Sequence, residues 1–260
     1  MTFDELQELM EQLTPVVQEA GKTVTDTYSK PDDHQTKSDG SPVTLADKRS
    51  EEIILTGLKN IAPNIPVISE ENTTNHSLAA SKLFFLVDPL DGTREFIKRD
   101  GKGSFTVNIA LIKDNIPILG FVFAPALNRF FCGVAFNGDS FATENGERIS
   151  VRTVPDDGPV AVASVSHGDF QTDNWLNENK ISKTKLIGSS LKFCLLAAGE
   201  ADIYPRFSPT MEWDTAAGDA VLRAAGGLVE NIDGKPFEYG KPDYRNGSFI
   251  AKGKLATTDL

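Results

Sequence analysis

The sequence predicts an α+β fold in two parts: helices on a mainly antiparallel sheet, then alternating strands and helices. Three observations carry this reading. Apolar residues from Phe3 to Val24 recur at helical spacing. Apolar, aromatic and β-branched runs fill 83–143, with Asn137-Gly138 and Asn145-Gly146 placed as hairpin turns. Beyond Val154-Pro155-Asp156-Asp157-Gly158-Pro159, a linker by composition, strand and helix patterns alternate. The linker divides the chain into an N-terminal α+β part, 1–154, and a C-terminal α/β part, 155–260.

In order, the first pattern runs to about Tyr28. Pro15, with Thr14 ahead of it as an N-cap, divides it into two helices or kinks one. Pro31 to Pro42 is a polar loop. Thr44 opens a helix to about Ile61, and Thr44-Leu45-Ala46-Asp47 has capping-box spacing. A short strand over 66–69 delivers Glu70-Glu71. The run 83–88 is continuously apolar up to Asp88, as in a strand buried on both faces. The chain then turns at Pro89-Leu90, presents Asp91, and enters a helix near 93–97. Strands follow at 105–112, 118–123, 129–136 and 140–143. The second part reads as strand 160–165, helix 174–179, strand 184–187, helix 191–198, strand 202–204, Ala-rich helix 215–225, and strands at 228–229 and 248–250.

The 260 residues are 40% hydrophobic and 24% charged, ordinary for a globular protein. A net charge of −11 disfavours binding to nucleic-acid polymers, because no general basic surface displaces counterions. It leaves room for a local basic pocket. Cys132 and Cys194 sit in apolar contexts without ligand spacing and read as buried thiols. The N-terminal residues lack signal-peptide character and no run reaches membrane-spanning length, so a cytoplasmic protein without stable membrane insertion is expected.

Two carboxylates three residues apart, Asp88 and Asp91, repel unless a cation lies between them. Oxygen-only sites of this kind suit Mg²⁺, Mn²⁺ or Ca²⁺. Gly92 permits close backbone approach, and free amides at a helix start attract phosphate oxygens. The competing reading is an Asp-Pro turn followed by an Asp-Gly bend. Glu70 joins the same rim if its strand neighbours 83–88; otherwise Ser69-Glu70-Glu71 is a solvated loop. Asp214, ahead of the Ala-rich helix, is a natural N-cap and also a place to hold a cation ligand. Lys192 lies in the first turn of a helix, where a cation opposes the macrodipole unless an anion is present. Arg206 offers a bidentate grip on phosphate or a surface ion pair. His167 is a loop histidine after a strand.

Together, Glu70, Asp88-Pro89-Leu90-Asp91-Gly92-Thr93 and Trp213-Asp214-Thr215-Ala216-Ala217-Gly218 resemble the two signatures of the inositol monophosphatase superfamily, in order and separation, over nearly the whole chain. Within it the likeness is to bacterial 3′(2′),5′-bisphosphate nucleotidases. That likeness is carried by Lys37-Ser38-Asp39-Gly40-Ser41-Pro42-Val43-Thr44, Glu95-Phe96-Ile97-Lys98-Arg99, Gly188-Ser189-Ser190-Leu191-Lys192-Phe193-Cys194 and Tyr204-Pro205-Arg206-Phe207. Asp219 departs from the pattern, which has His there.

The resemblance implies a layered α/β/α/β/α sandwich with the site where its two parts meet. It implies that Glu70, Asp88, the Leu90 carbonyl, Asp91 and Asp214 hold two or three Mg²⁺ ions, with Mn²⁺ as a substitute. Glu70, Asp47 and Thr93 are then the catalytic set, Thr93 positioning the attacking water under the orientation of Asp47. Gly92 and Thr93 amides cradle the phosphate, with Asp214 also facing substrate. Ser189, Lys192, Arg206 and His167 take the nucleotide and its second phosphate. The implied activity removes the 3′-phosphate of adenosine 3′,5′-bisphosphate, or of its 5′-phosphosulfate form. It ties the chain to sulfate assimilation, with lithium sensitivity, a monomeric or homodimeric state, and a cytoplasmic location that extends to the cytoplasmic face of the inner membrane. Two alternatives stay open: a phosphatase for inositol or sugar monophosphates, and a non-enzymatic binder of nucleotide and metal.

Overall fold

A computed structural model of the chain describes residues 1–29, 35–36, 42–76, 80–99, 101–165 and 170–254. Helix α1 (Phe3–Tyr28) opens on a reciprocal capping box between Thr2 and Glu5. It runs unbroken through Pro15, so the expected division at Thr14 does not occur. Thr14 Oγ1 donates to Met10 O at 2.8 Å instead of capping a new helix. An interior proline costs about 3 kcal/mol. Pro15 lies on the exposed side, while Leu6, Leu13, Val17, Ala20 and Val24 are buried along the other. Burying the larger of these contributes roughly 1.5–3 kcal/mol each, so the stripe prevails over the local breaker.

Strands β1 (Gln35–Thr36) and β2 (Pro42–Val43) pair antiparallel before helix α2 (Leu45–Ile61). The main sheet follows: β3 (Val67–Ser69), β4 (Leu83–Asp91), β5 (Thr106–Lys113), β6 (Ile116–Ala124), β7 (Arg129–Phe136), β8 (Asp139–Glu144) and β9 (Glu147–Ile149), side by side in chain order. Only the β3–β4 pairing is parallel. Helix α3 (Thr93–Lys98) leaves the end of β4. Asn137-Gly138 and Asn145-Gly146 have positive φ at both positions, as the expected primed hairpin turns require.

The second part comprises β10 (Val160–Ser164), α4 (Phe170–Glu178), β11 (Lys183–Ile187), α5 (Leu191–Ala197), β12 (Ile203–Arg206), β13 (Thr210–Met211), α6 (Ala216–Ala224), β14 (Leu228–Asn231), β15 (Arg245–Asn246) and β16 (Phe249–Lys252). Five of its strands form a mixed sheet in the order β11-β10-β12-β16-β14, and β13 pairs with β15.

Strand alternation sorts these elements into layers. On the main sheet, Phe85, Val87, Ile109, Leu111 and Phe121 pack with α1 and α2, while Phe84, Leu86, Ala110, Ile112 and Val122 pack with α5 and α6. Both faces of β4 are therefore covered, which is why 83–88 reads as a continuous apolar run. On the second sheet, Val162, Tyr204, Phe249 and Ala251 face α5 and α6; Ala161 and Ile203 face Leu176 of α4. The order α/β/α/β/α follows.

Helix α6 packs closely on the main sheet, with its Ala216-Ala217-Gly218 start and Ala220 small enough to allow it. A Cβ added at Gly120 of β6 would lie 2.5 Å from Ala217 O, and one at Gly133 of β7 would lie 2.6 Å from Val221 Cα. Neither neighbour is a flexible side-chain end, so the helix would have to move. Gly120→Ala is expected to destabilise the fold by about 1–3 kcal/mol in urea unfolding, the range for overpacked interiors. An unchanged midpoint would show that α6 is not pressed on the sheet as described.

Candidate active site

Three backbone devices bring the acidic residues together. Parallel pairing sets Ser69 level with Val87, and Glu70 N donates to Val87 O at 3.0 Å, so Glu70 arrives beside Asp88. Residues three apart on a regular strand point to opposite faces. Between Asp88 and Asp91, however, β4 carries one more residue than β5, whose matching partners are Asn108 and Thr106. This bulge, at Pro89-Leu90, turns Asp91 to the side of Asp88. Ser50 Oγ of α2 holds it by donating to Pro89 O at 2.8 Å. Asp214 arrives on the turn before α6, its Oδ2 accepting from Met211 N at 2.8 Å. The expected N-cap role of Asp214 is therefore corrected: Thr215 occupies that position, and the carboxylate is engaged by the preceding turn.

Glu70, Asp88 and Asp214 each offer a carboxylate oxygen within 4.8 Å of the others. Asp91 stands outside this group of three. It lines the same cavity of ≈ 260 Å³, together with Glu70, Asp88, Leu90, Gly92, Thr93, Ser189, Lys192, Arg206 and Asp214. Asp88 is 1% exposed; its Oδ1 accepts from Leu90 N, and its Oδ2 is buried without a hydrogen-bond partner among the described residues. Burial, then repulsion from Glu70, Asp91 and Asp214, pushes its pKa well above the usual carboxylate range. Asp214 shifts the same way, from burial first and then Asp91 and Glu70. Asp91 rises to about 7, burial outweighing the nearby Lys192 cation and the bond from Ser190 N at 2.5 Å. An orphaned carboxylate oxygen amid crowded, repelling acids fits a divalent-cation site with oxygen ligands.

This crowding has a consequence for pH. An unfolded Asp ionises near pH 3.9, so between there and about pH 7 the folded chain holds more protons than the unfolded one. Stability of the metal-free protein is therefore highest below the unfolded pKa and falls as pH rises through the folded values. In EDTA, Tm is expected to drop from about pH 5 to about pH 8, and Mg²⁺ should restore it most at the higher pH. A metal-free Tm that rises over this range would contradict the geometry.

Asp47 closes the capping box expected of it and also reaches Thr93. Its Oδ2 accepts from Thr44 N at 2.7 Å and Thr44 Oγ1 at 2.6 Å, closing the capping box of α2. Its Oδ1 lies 3.3 Å from Thr93 Oγ1, which is also 3.1 Å from Leu90 O. Asp47 is buried and does not line the cavity; Thr93 does. Burial raises Asp47 to about 6 against the two bonds from Thr44. Gly92, at φ 89°, starts α3 in a left-handed conformation that a side chain would strain.

Two buried cations line the same cavity. Lys192 Nζ donates to Ser189 O at 2.6 Å and sits 5.2 Å from the centre of the Tyr204 ring. Burial lowers it to about 8, with Asp91 opposing and Arg206 reinforcing. Arg206 is 8% exposed, and its Nε donates to Ser208 O at 3.2 Å. His167 and the segment 37–41 lie outside the described residues. Asp219 is not among the lining residues; it pairs with Arg223 at 2.6 Å and accepts from Tyr239 Oη at 3.0 Å.

Sequence reasoning missed Arg94, Glu95, Ser164, Phe193, Tyr204, Thr210 and Thr215 as lining residues. Tyr204 was within reach, since it lies two residues from Arg206 on β12 and so shares its face.

The inositol monophosphatase family profile matches residues 5–259. The chain is 44% identical over 234 residues to the 3′(2′),5′-bisphosphate nucleotidase CysQ of Shigella flexneri, covering 89% of this chain and 94% of that one. Its counterpart in Escherichia coli K12 is 43% identical with the same coverage. Among solved structures, CysQ from Bacteroides thetaiotaomicron superposes with a TM-score of 0.79 at 34% identity, covering 96% of this chain and 98% of that one. The extragenic suppressor protein SuhB from Bartonella henselae gives 0.76 at 25% identity, covering 95% and 94%. With both signatures meeting in one cavity and the match running nearly end to end, this chain belongs to the inositol monophosphatase family.

Proposed function

We propose that the chain is a Mg²⁺-dependent 3′(2′),5′-bisphosphate nucleotidase that removes the 3′-phosphate of adenosine 3′,5′-bisphosphate and of its 5′-phosphosulfate form. The observation that carries this reading is one cavity lined both by Glu70, Asp88 and Asp214 and by the buried cations Lys192 and Arg206. A simple monoester needs only the acidic group; a second phosphate needs fixed positive charge away from it. The names of the curated relatives support the same substrate class.

Glu70, Asp88, Asp91, Asp214 and the Leu90 carbonyl would hold the divalent ions. When bound, such ions polarise the phosphoryl group, lower the pKa of water and neutralise the leaving oxygen. Thr93 accepts a hydrogen bond from the attacking water while donating its own hydroxyl proton to Asp47 Oδ1. Asp47 is limited to this direction because Thr44 occupies Oδ2. Its pKa near 6 suits a proton acceptor at neutral pH. As the water oxygen bonds to phosphorus, its proton passes to the Thr93 hydroxyl, which gives its own to Asp47 Oδ1. The bond from phosphorus to ribose O3′ breaks, O3′ takes a proton from bulk water, and Asp47 later releases its proton to solvent. Gly92 and Thr93 amides face the transferred phosphate; Ser189, Lys192, Arg206 and His167 hold the nucleotide and its remaining phosphate.

Thr93→Val is expected to lower kcat by on the order of 10²-fold at saturating Mg²⁺. Phosphate-release kinetics check this, and an unchanged kcat would remove the Thr93–Asp47 pair from the proton path. The free, buried Cys132 and Cys194 support a reducing compartment, and no helix among the described residues is long and apolar enough to cross a membrane. The reading places the enzyme in the cytoplasm, clearing a by-product of sulfate assimilation, with lithium as an inhibitor.

A further inference from the structure

Outside the cavity, one side chain touches the neighbours of two proposed cation ligands that are remote in sequence. His76 follows the 3₁₀ turn Thr73–Asn75 and does not line the cavity. Its Nε2 lies 2.7 Å from Ser69 O, on the residue before Glu70. A carbonyl only accepts, so Nε2 carries the hydrogen. The same ring stacks on Trp213, the residue before Asp214, with centroids 4.7 Å apart and planes at 29°. Trp213 is itself 4% exposed and packs towards Tyr244.

The strand geometry explains why this carbonyl is available. Pro66 O and Glu70 N both bond to β4, so by alternation the backbone groups of Ser69 point to the open edge of the main sheet. Asn72 N takes one lone pair of Ser69 O at 3.2 Å, and His76 takes the other. On the opposite side, Ser69 Oγ donates to Glu51 of α2 at 2.5 Å. The backbone before Glu70 is thus tied to α2 by a side chain and to the turn before Asp214 by the His76 ring. Glu70 directly follows the edge strand β3, and Asp214 precedes α6, far away in sequence. Their carboxylates nonetheless meet within 4.8 Å.

We propose that His76 is a positioning residue that clamps these two ligand-bearing segments, so that divalent-cation affinity depends on a side chain in contact with neither the cation nor the substrate. This rests on the cation-site reading above. The clamp has two halves, an N–H on Ser69 and a ring face on Trp213, and each has its own substitution. His76→Gln keeps a donor without the ring; His76→Phe keeps the ring without the donor.

The test is Mn²⁺ affinity of the full chain without substrate, by electron paramagnetic resonance or calorimetry. His76→Ala is expected to weaken binding on the order of tenfold, as loss of an outer-layer orienting group does, with smaller losses in His76→Gln and His76→Phe. A role in folding alone would lower Tm and leave the affinity of the folded protein unchanged. If the Ala variant does not fold, wild-type affinity in both Gln and Phe variants overturns the proposal. Absence of Mn²⁺ binding by the unsubstituted chain overturns the cation site itself, and the clamp with it.

Discussion

Asp88→Asn is expected to reduce phosphate release by on the order of 10³-fold, equivalent to about 4 kcal/mol of transition-state stabilisation. It should do so without unfolding the protein. The amide oxygen still accepts from Leu90 N, and the side-chain shape is kept. What disappears is the buried charge, crowded by Glu70, Asp91 and Asp214. Because the folded pKa of Asp88 is raised, its carboxylate costs stability only at pH above the unfolded value, and the cost grows towards alkaline pH. In EDTA the Asn variant should therefore match the parent near pH 4 and exceed it near pH 8, as read by urea unfolding. Loss of activity with a gain in metal-free stability separates a ligand from a structural acid. A variant that stays active, or that is destabilised at both pH values, would assign Asp88 a different role.

Lys192→Ala is expected to split two substrates. Hydrogen bonds to charged groups are worth about 1.5–3 kcal/mol, so kcat/KM for adenosine 3′,5′-bisphosphate should fall roughly 10- to 100-fold. Turnover of inositol monophosphate, which presents no second phosphate, should change by less than about threefold. Lys192 is 4% exposed, with its ammonium 5.2 Å from the centre of the Tyr204 ring, and truncation leaves a void. Lys192→Met keeps the stem and loses only the charge, so it should show the same split. Equal losses on both substrates would mean that Lys192 supports the loop 188–190 and not a phosphate.

Much of the site was legible because its residues lie in short segments whose local pattern has few interpretations. Thr44-Leu45-Ala46-Asp47 has the spacing of a capping box, and that box forms. The apolar run ending at Asp88 is a strand buried on both faces, and the turn through Leu90 delivers Asp91. The strand extends to Asp91, three residues beyond the expected end, because the Pro89-Leu90 turn is a bulge within a continuing ladder. Of the two alternatives read at Pro15, the division into two helices fails for the complementary reason. The breaking effect of Pro15 is local, whereas the buried stripe that holds α1 together depends on the sheet beneath it.

Other features need the third dimension. Nothing near Asp214 in the chain indicates that Met211 N, and not an amide of the following helix, engages its carboxylate. Asp219 stands where the resemblance leads us to expect His; its partner Arg223 stands one turn on, so a buried ion pair was readable at that spacing. Its second partner, Tyr239, comes from an unrelated segment. His76 gave no signal at all: its importance lies in touching Ser69 and Trp213 at once, a relation set by the packing of an edge strand against the turn before α6.

The most direct measurement is phosphate release from adenosine 3′,5′-bisphosphate by the purified chain, in Mg²⁺ and in EDTA, beside inositol monophosphate. The expected result is one phosphate released per nucleotide, with adenosine 5′-monophosphate left, only when Mg²⁺ is present, and slower turnover of the inositol ester. Equal release in EDTA would contradict the carboxylate cation site; faster turnover of the inositol ester would contradict the basic side of the cavity as a second-phosphate site.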